Sequence, residues 1–179
     1  METTLAKRLA PFSLSVLVFV LDQAVKTAVA AVIAPNAVHA RFGGDLLWIV
    51  HQRNKGVAFS FGEGFPDWLK TLLFVVVASA VLVAVIVYCL RDGSLTRLQR
   101  WAAAGIVGGG FGNIVDRVFR ADGVVDFISV KFFGLFGLER WPTFNIADSS
   151  VVVCGILLVV ATIIADRNAA RSAKADGKP

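Results

Sequence analysis

Four aspartates lie inside or beside long apolar stretches of this sequence: Asp22, Asp116, Asp126 and Asp148. A charge within a membrane span costs at least about 2.5–3.5 kcal/mol, so such residues persist where they are paired or functional. Two carboxylates that share a site ionise unequally, because the first negative charge opposes the second. The ionised member can then take a proton from water while the protonated member donates to a peptide carbonyl, as in aspartic proteases.

Simpler structural interpretations exist for two of these aspartates. Asp22 precedes Lys26 by four positions, which places both on one helix face and predicts an intrahelical ion pair. Asp148 follows Asn145 by three positions, a spacing typical of a helix N-cap with an acidic residue in the first turn. Asp126 has no such explanation, since its neighbours on both sides are apolar.

Asn113, Asp116 and Arg117 follow a glycine-rich stretch at spacings that place them on one helix face. Gly108 and Gly112 form a G-x-x-x-G pair, which predicts close packing against another helix. One interpretation is helix packing together with an ion pair between Asp116 and Arg117. The other is that these polar groups line a site, and the sequence allows both.

The residues alone allow three kinds of chemistry. Clustered aspartates serve aspartic proteolysis, proton- or cation-coupled transport, and magnesium-dependent reactions of lipid phosphates. A zinc site is disfavoured, because His39 and His51 lack metal-ligand spacing and the chain has only two cysteines. A transporter is expected to contain an internal repeat and paired discontinuous helices, and neither is visible in the sequence.

The composition favours a membrane protein. Of the 179 residues, 56% are hydrophobic and 17% are charged, whereas soluble domains are about 45–50% apolar and about 25% charged. Four stretches predict transmembrane helices: residues 12–34, 71–90, 101–117 and 146–165. Asp22 and Lys26 argue against a cleaved signal peptide at the first stretch. The polar tail at residues 168–179 is expected to be disordered.

Basic residues predict the orientation of these spans. They are densest near both termini and in the loop at residues 91–100, which the positive-inside rule places in the cytoplasm. Residues 35–66 and 118–143 then lie outside, and residues 41–61 predict strand-like runs broken by glycine. This distribution explains the net charge of +5 better than nucleic-acid binding does.

Five sequence elements resemble, in order, those of the prolipoprotein signal peptidases, or signal peptidase II family. They are residues 22–26 (DQAVK), 54–60 (NKGVAFS), 108–117 (GGGFGNIVDR), 124–127 (VVDF) and 144–148 (FNIAD). The matching family elements are D-x-x-x-K, N-x-G-x-A-F, G-G-x-x-G-N-x-x-D-R, V-x-D-F and F-N-x-A-D. Each element alone has little specificity, but the ordered set is highly specific. The one departure is Gly110, where alanine is expected.

The resemblance implies an all-α membrane protein with four transmembrane helices, a small extracytoplasmic β-sheet and an amphipathic outer helix, forming a single integral membrane domain over residues 1–179. It implies an aspartic endopeptidase of the bacterial inner membrane, with both termini cytoplasmic and the active site toward the outside. The enzyme removes signal peptides from diacylglyceryl-modified prolipoproteins by cutting before the lipidated cysteine. The expected ligands are these precursors, membrane lipids and globomycin-type inhibitors, with no cofactor, metal or nucleic acid, and the expected state is a monomer.

The catalytic dyad implied by the resemblance is Asp126 and Asp148. Apolar neighbours are expected to raise the pKa of Asp126, which makes it the expected initial acid, and the helix dipole favours Asp148 as the initial base. The residues expected to bind substrate or support the site are Asp22, Lys26, Asn54, Gly56, Gly108, Asn113, Asp116, Arg117, Asn145 and Ala147.

Overall fold

The computed structural model describes residues 5–56 and 64–175, except for the side chains of residues 173–175. The helices are α1 (Leu5–Leu9), α2 (Phe12–Val32), α3 (Asp67–Thr71), α4 (Ala78–Arg91), α5 (Arg97–Phe119) and α6 (Ile146–Ala175). A π-helical segment, Leu72–Val77, joins α3 to α4 without a break. The strands are β1 (Val38–Phe42), β2 (Leu47–Asn54), β3 (Val124–Leu135) and β4 (Leu138–Arg140).

Among the described residues, three helical stretches are long and apolar enough to cross a membrane. They are Leu5–Val32, Asp67–Arg91 and Ile146–Ser172, with mean hydropathies of 1.7, 3.0 and 2.3. Large apolar side chains such as Val20 and Ile156 are exposed on these helices, as expected where lipid takes the place of water. These helices correspond to the first, second and fourth predicted spans, and they make this a multi-pass membrane protein.

The third predicted span lies in α5, which is not among these three stretches. Helix α5 packs against α2, α4 and α6, and more than half of its residues are buried. Because it is largely enclosed by other helices, its glycines and polar side chains do not have to be compatible with lipid. Its role as a fourth span remains a prediction.

Glycines in α5 allow α2 to approach closely. A Cβ atom added at Gly108 would lie 2.7 Å from both Cα and the carbonyl oxygen of Ser15, and one added at Gly112 would lie 2.8 Å from Oδ2 of Asp22. The Ser15 hydroxyl donates a 2.6 Å hydrogen bond to the carbonyl oxygen of Ala104 across the same contact. The close helix packing predicted from the G-x-x-x-G pair is therefore confirmed.

The four strands form one antiparallel sheet in the order β1-β2-β3-β4. Helix α2 leads into β1, α5 leads into β3, and β4 leads into α6. The sheet therefore lies at the end of the bundle where α2 and α5 end and α6 begins. A small core of Val29, Ile33, Val125 and Phe127 holds β3 against the end of α2. The strand-like runs predicted in residues 41–61 are confirmed where the structure describes them.

One expectation differs from the structure. The tail was expected to be disordered from residue 168, but α6 continues to Ala175, because its alanine-rich, charged sequence has high helix propensity. The expected amphipathic outer helix remains a prediction, because only part of the first outer segment is among the described residues. Residues 57–63 lie outside the described part of the chain.

Candidate active site

Asn145 marks the start of α6 and forms a reciprocal cap with Asp148. The backbone N–H of Asp148 donates to Oδ1 of Asn145 at 2.8 Å, and the backbone N–H of Asn145 donates to Oδ2 of Asp148 at 3.1 Å. This confirms the N-cap predicted from their spacing. The cap also fixes the Asp148 carboxylate at the first turn of the helix, where the macrodipole stabilises negative charge.

The capping residue also holds the second aspartate. Nδ2 of Asn145 donates to Oδ1 of Asp126 at 2.7 Å, while Oδ1 of Asn145 accepts from the backbone of Asp148. One fully buried amide therefore contacts both predicted catalytic residues. The capping interpretation of Asn145 is confirmed, and its role in a catalytic site remains a prediction.

Each aspartate receives one further amide donor. Nδ2 of Asn113 donates to Oδ1 of Asp148 at 2.7 Å, and Nδ2 of Asn54 donates to Oδ2 of Asp126 at 3.1 Å. Asn54 reaches Asp126 because it pairs with Val124 across the sheet, and residues two apart on β3 share one face. All four carboxylate oxygens of the two aspartates therefore accept a hydrogen bond.

Asp22 and Asp116 occupy a different environment. Nζ of the fully buried Lys26 lies 2.8 Å from Oδ2 of Asp22 and 2.9 Å from Oδ2 of Asp116. Nε of Arg120 lies 3.0 Å from Oδ1 of Asp116. We call Asp22, Lys26, Asp116 and Arg120 the buried ion cluster. Its two positive and two negative charges balance, and the ion pair predicted between Asp22 and Lys26 is confirmed.

The expected pair between Asp116 and Arg117 is wrong. Side chains four apart share a helix face whereas adjacent ones diverge, so Asp116 pairs with Arg120. The Arg117 guanidinium instead donates to the carbonyl oxygens of Asn113 at 3.2 Å and Gly56 at 3.1 Å. In the part of the chain that the structure describes, ion pairs reach Asp116 but not Asp126.

A cavity of about 550 Å³ opens beside the candidate dyad. Asp126 and Asp148 both line it, whereas Asp22 and Asp116 do not. The other lining residues are Asn54, Asn113, Arg117, Val124, Trp141, Pro142, Thr143, Phe144, Ser149, Val151, Val152 and Val153. Asp126 and Asp148 are therefore placed to contact a substrate, whereas Asp22 and Asp116 are enclosed by protein.

Burial changes the protonation of the strand aspartate. The Asp126 side chain is removed from solvent, and this desolvation, together with the nearby charge of Asp148, raises the pKa of Asp126 to about 7. The hydrogen bonds from Asn54 and Asn145 act in the opposite direction, because they favour the carboxylate. Asp126 therefore retains a proton at a pH where an ordinary aspartate has lost it, as the sequence context predicted.

The model of the family described as signal peptidase (SPase) II matches residues 14–164. The chain belongs to the signal peptidase II family. The match covers most of the chain and contains every residue of the candidate site. The family resemblance inferred from five short elements is confirmed.

Relatives support the same membership. The chain is 48% identical over 154 residues to the lipoprotein signal peptidase of Treponema denticola, covering 86% of this chain and 88% of that protein. It is 46% identical over 147 residues to the lipoprotein signal peptidase of Treponema pallidum, covering 82% and 79%. A solved structure described as a bacterial membrane enzyme superposes with a TM-score of 0.75 at 27% identity, covering 89% of this chain and 90% of that one.

The remaining residues predicted from the signal peptidase II elements lie around the dyad. The backbone N–H of the buried Ala147 donates to Oδ1 of Asp22 at 2.9 Å, which ties the start of α6 to the buried ion cluster. The backbone N–H of Gly56 donates to Oδ1 of Asn54 at 2.9 Å and thereby helps to orient that amide. Gly108 contacts helix α2 rather than the cavity. The rest of the second element, residues 57–60, lies outside the described residues.

Two supporting residues were not identified from the sequence. Nε2 of Gln23 donates to Oδ1 of Asp116 at 3.0 Å and to the carbonyl oxygen of Gly112 at 3.1 Å, so this side chain joins α2 to α5. Arg120 completes the buried ion cluster. The sequence did indicate both residues. Gln23 is a polar residue in an apolar run, and Arg120 follows Asp116 by about one helical turn.

Within residues 5–56 and 64–175, no group of three or more His, Cys, Asp or Glu side chains is placed to hold a metal ion. The amide-bound carboxylates of Asp126 and Asp148 suit proton transfer. The raised pKa of Asp126 favours its protonated form, and Asp148 is held at a helix N-terminus.

Proposed function

We propose that this protein is an intramembrane aspartic endopeptidase that removes signal peptides from prolipoproteins, with Asp126 and Asp148 as the catalytic dyad. The observation that carries the proposal is that these two aspartates line one cavity and are joined by the amide of Asn145. Membership of the signal peptidase II family supports the peptidase activity and the class of substrate.

The proposed reaction begins with Asp126 protonated and Asp148 ionised. Asp148 takes a proton from a water molecule as its oxygen attacks the scissile carbonyl carbon, and Asp126 gives its proton to the carbonyl oxygen. When the tetrahedral intermediate collapses, Asp148 gives its proton to the leaving nitrogen and Asp126 regains one from the intermediate. The carbon–nitrogen bond breaks, one water is consumed, and the dyad returns to its starting state.

The supporting residues have distinct roles in this scheme. Asn54, Asn113 and Asn145 hold the two carboxylates in place without adding a charge to the site. Arg117 lines the same cavity and supplies positive charge near the developing oxyanion. The buried ion cluster lies outside the cavity and acts as scaffold.

The proposed substrate carries a diacylglyceryl group on the cysteine that follows the scissile bond. A lipid-modified cysteine leaves a bilayer only at high cost, so the enzyme must cut it at the membrane surface. The cavity suits this requirement because its polar groups lie at the end of the bundle, and Phe144, Val151 and Val152 give it an apolar wall. Globomycin-type inhibitors are proposed to occupy the same cavity.

The proposed topology has four spans, with α5 as the third, in a bacterial inner membrane. Both termini and residues 91–100 are cytoplasmic, and the sheet and the cavity face outward, in accordance with the density of basic residues. The protein is proposed to act as a monomer, since both aspartates and all three asparagines come from one chain.

The decisive experiment compares a diacylglyceryl-modified precursor with its unmodified twin. The purified wild-type protein is expected to cleave only the modified form, to remain active in EDTA and to be blocked by globomycin. Asp126→Asn and Asp148→Asn are expected to remain folded and lose cleavage by several orders of magnitude. Asp122→Asn is the matched control, because Asp122 is an exposed turn residue outside the cavity.

Two outcomes would contradict the proposal. Near wild-type cleavage by folded Asp126→Asn or Asp148→Asn would exclude the dyad. Loss of activity in EDTA that magnesium restores would favour a metal-dependent reaction instead.

A further inference from the structure

A second cavity, of about 230 Å³, lies on the other side of Arg117. It is formed where the end of β2, the start of α3 and the end of α5 meet. Its described lining residues are Asn54, Lys55, Asp67, Lys70, Thr71, Phe74, Val75, Arg117, Arg120, Ala121 and Gly123. Four of these eleven residues are basic and one is acidic. The proposed peptidase reaction uses none of this cavity except its shared wall.

The described residues neutralise the positive charge of this second cavity only partly. Arg120 is paired with Asp116 at 3.0 Å, but Lys70 has only a 3.7 Å contact with the fully exposed Asp67. Lys55 is exposed and has no ion pair among the described residues. Within the same part of the chain, Nε of Arg117 is buried and lacks a hydrogen-bond partner. Cations held this close repel one another, so an anion between them would be bound favourably.

The inner wall of the second cavity is apolar. Phe74 and Val75 come from the π-helical segment, and the Arg117 guanidinium lies over the Phe74 ring at 5.7 Å. The stretch that follows is the most apolar in the protein, with mean hydropathy 3.0 over Asp67–Arg91. A cationic opening above an apolar wall matches a molecule with an anionic head and a hydrocarbon tail.

We propose that this second cavity binds the phosphate group of an anionic phospholipid from the outer leaflet, through Lys55, Lys70 and Arg120. The inference rests on the proposed orientation in the membrane and is independent of the dyad chemistry. Lys70 lies at the start of the most apolar helical stretch and Arg120 directly follows α5, so both lie at the depth of lipid phosphates. Because Arg117 lines both cavities, the bound lipid would adjoin the active site.

Lipid retention by the full-length protein tests this inference. The protein is placed in nanodiscs containing phosphatidylcholine with phosphatidylglycerol or with diacylglycerol, and the lipids that remain bound are counted by native mass spectrometry. Wild type is expected to retain phosphatidylglycerol in preference to the other two. The Lys55→Gln/Lys70→Gln variant is expected to reduce that retention about ten- to thirtyfold, in accordance with the usual contribution of a basic residue at a lipid surface.

Matched controls distinguish binding in this cavity from general attraction of anionic lipid by surface charge. Arg41→Gln/Lys131→Gln removes two positive charges from the outer sheet but touches neither cavity, so its retention of phosphatidylglycerol should equal that of wild type. Asp126→Asn should also bind normally, so failure of the peptidase proposal would not affect this result. Thermal unfolding in phosphatidylcholine checks that each variant is folded.

Three results would overturn the inference. If the Lys55→Gln/Lys70→Gln variant retained as much phosphatidylglycerol as wild type, these lysines would not form a lipid site. An equal loss in the control variant would show that overall positive charge, and not this cavity, attracts the lipid. Tight binding of inorganic phosphate in phosphatidylcholine discs, without retention of phosphatidylglycerol, would assign the cavity to a soluble anion.

Discussion

Nζ of Lys26 lies 2.9 Å from Oδ1 of Asn113, and this contact links the buried ion cluster to the candidate dyad. A lysine ammonium can only donate, so the acceptor end of the Asn113 amide must face Lys26. The donor end is thereby directed to Asp148, which it reaches at 2.7 Å. Lys26 therefore positions a carboxylate that it does not touch.

Loss of this lysine should destabilise the protein more than loss of either acid. Lys26→Met leaves Asp22 as a buried, unpaired charge and leaves Asp116 with Arg120 as its remaining partner, and breaking a buried ion pair costs about 3–5 kcal/mol. We expect a markedly lower thermal midpoint in detergent and a low protein level. Adding Asp116→Asn to Lys26→Met should recover part of the loss in a double-mutant cycle. Equal stability of Lys26→Met and wild type would contradict this assignment.

The pH dependence of cleavage should report the protonation of Asp126. The reaction requires this residue as an acid, and its pKa is raised to about 7. The value of kcat/KM should therefore decline as pH rises above about 7, approaching tenfold per pH unit. The dyad titrates as a unit, so the measured midpoint belongs to the pair. A rate that stays constant to pH 9 would exclude Asp126 as the acid.

Asn54→Ala should move this decline to higher pH. The hydrogen bond from Asn54 favours the carboxylate, so its removal raises the pKa of Asp126 further. Asn168→Ala is a matched control, because it makes the same substitution at an exposed position that lines neither cavity. A decline that moves to lower pH in Asn54→Ala, or that moves equally in the control, would refute this account of the electrostatics.

Much of this arrangement was predictable from residue types and spacing. The pair between Asp22 and Lys26 and the cap at Asn145 follow from helical periodicity alone. The pairing of Asn54 with Val124 depends instead on strand register, which neither segment specifies by itself. The span predicted in α5 remains a prediction, because hydropathy reports compatibility with lipid and much of this helix is buried against other helices.

Two glycines, one tightly packed and one without near neighbours, offer a test of the helix contacts. Gly108→Ala would place Cβ 2.7 Å from the backbone of Ser15, so α2 and α5 would have to separate. Gly155→Ala on α6 meets no atom within 4 Å and should be neutral or slightly stabilising, since alanine is the better helix former. We expect a lower thermal midpoint and reduced activity only for Gly108→Ala. Similar midpoints for both variants would disprove the close contact.

Cysteine labelling in intact cells should test the proposed topology. Cys89 and Cys154 are buried, so the native thiols should give little background. Cysteines introduced at Ser94 and Ser172 are expected to be protected from a membrane-impermeant reagent, whereas one at Asp122 should react. Labelling of Ser94→Cys or Ser172→Cys from outside would reverse or reject the orientation.

The buried ion cluster has a consequence for how the chain enters the membrane. In the proposed topology, helix α5 brings Asp116 into the bilayer, and the buried lysine that contacts this carboxylate belongs to α2. The ribosome makes α2 first, so the partner is already in place when α5 reaches the translocon. Helix α5 alone should insert poorly, because its glycines add little affinity for lipid and its carboxylate opposes entry. Insertion of α5 is therefore expected to be coupled to the presence of α2, and replacement of Lys26 should leave α5 stalled at the translocon.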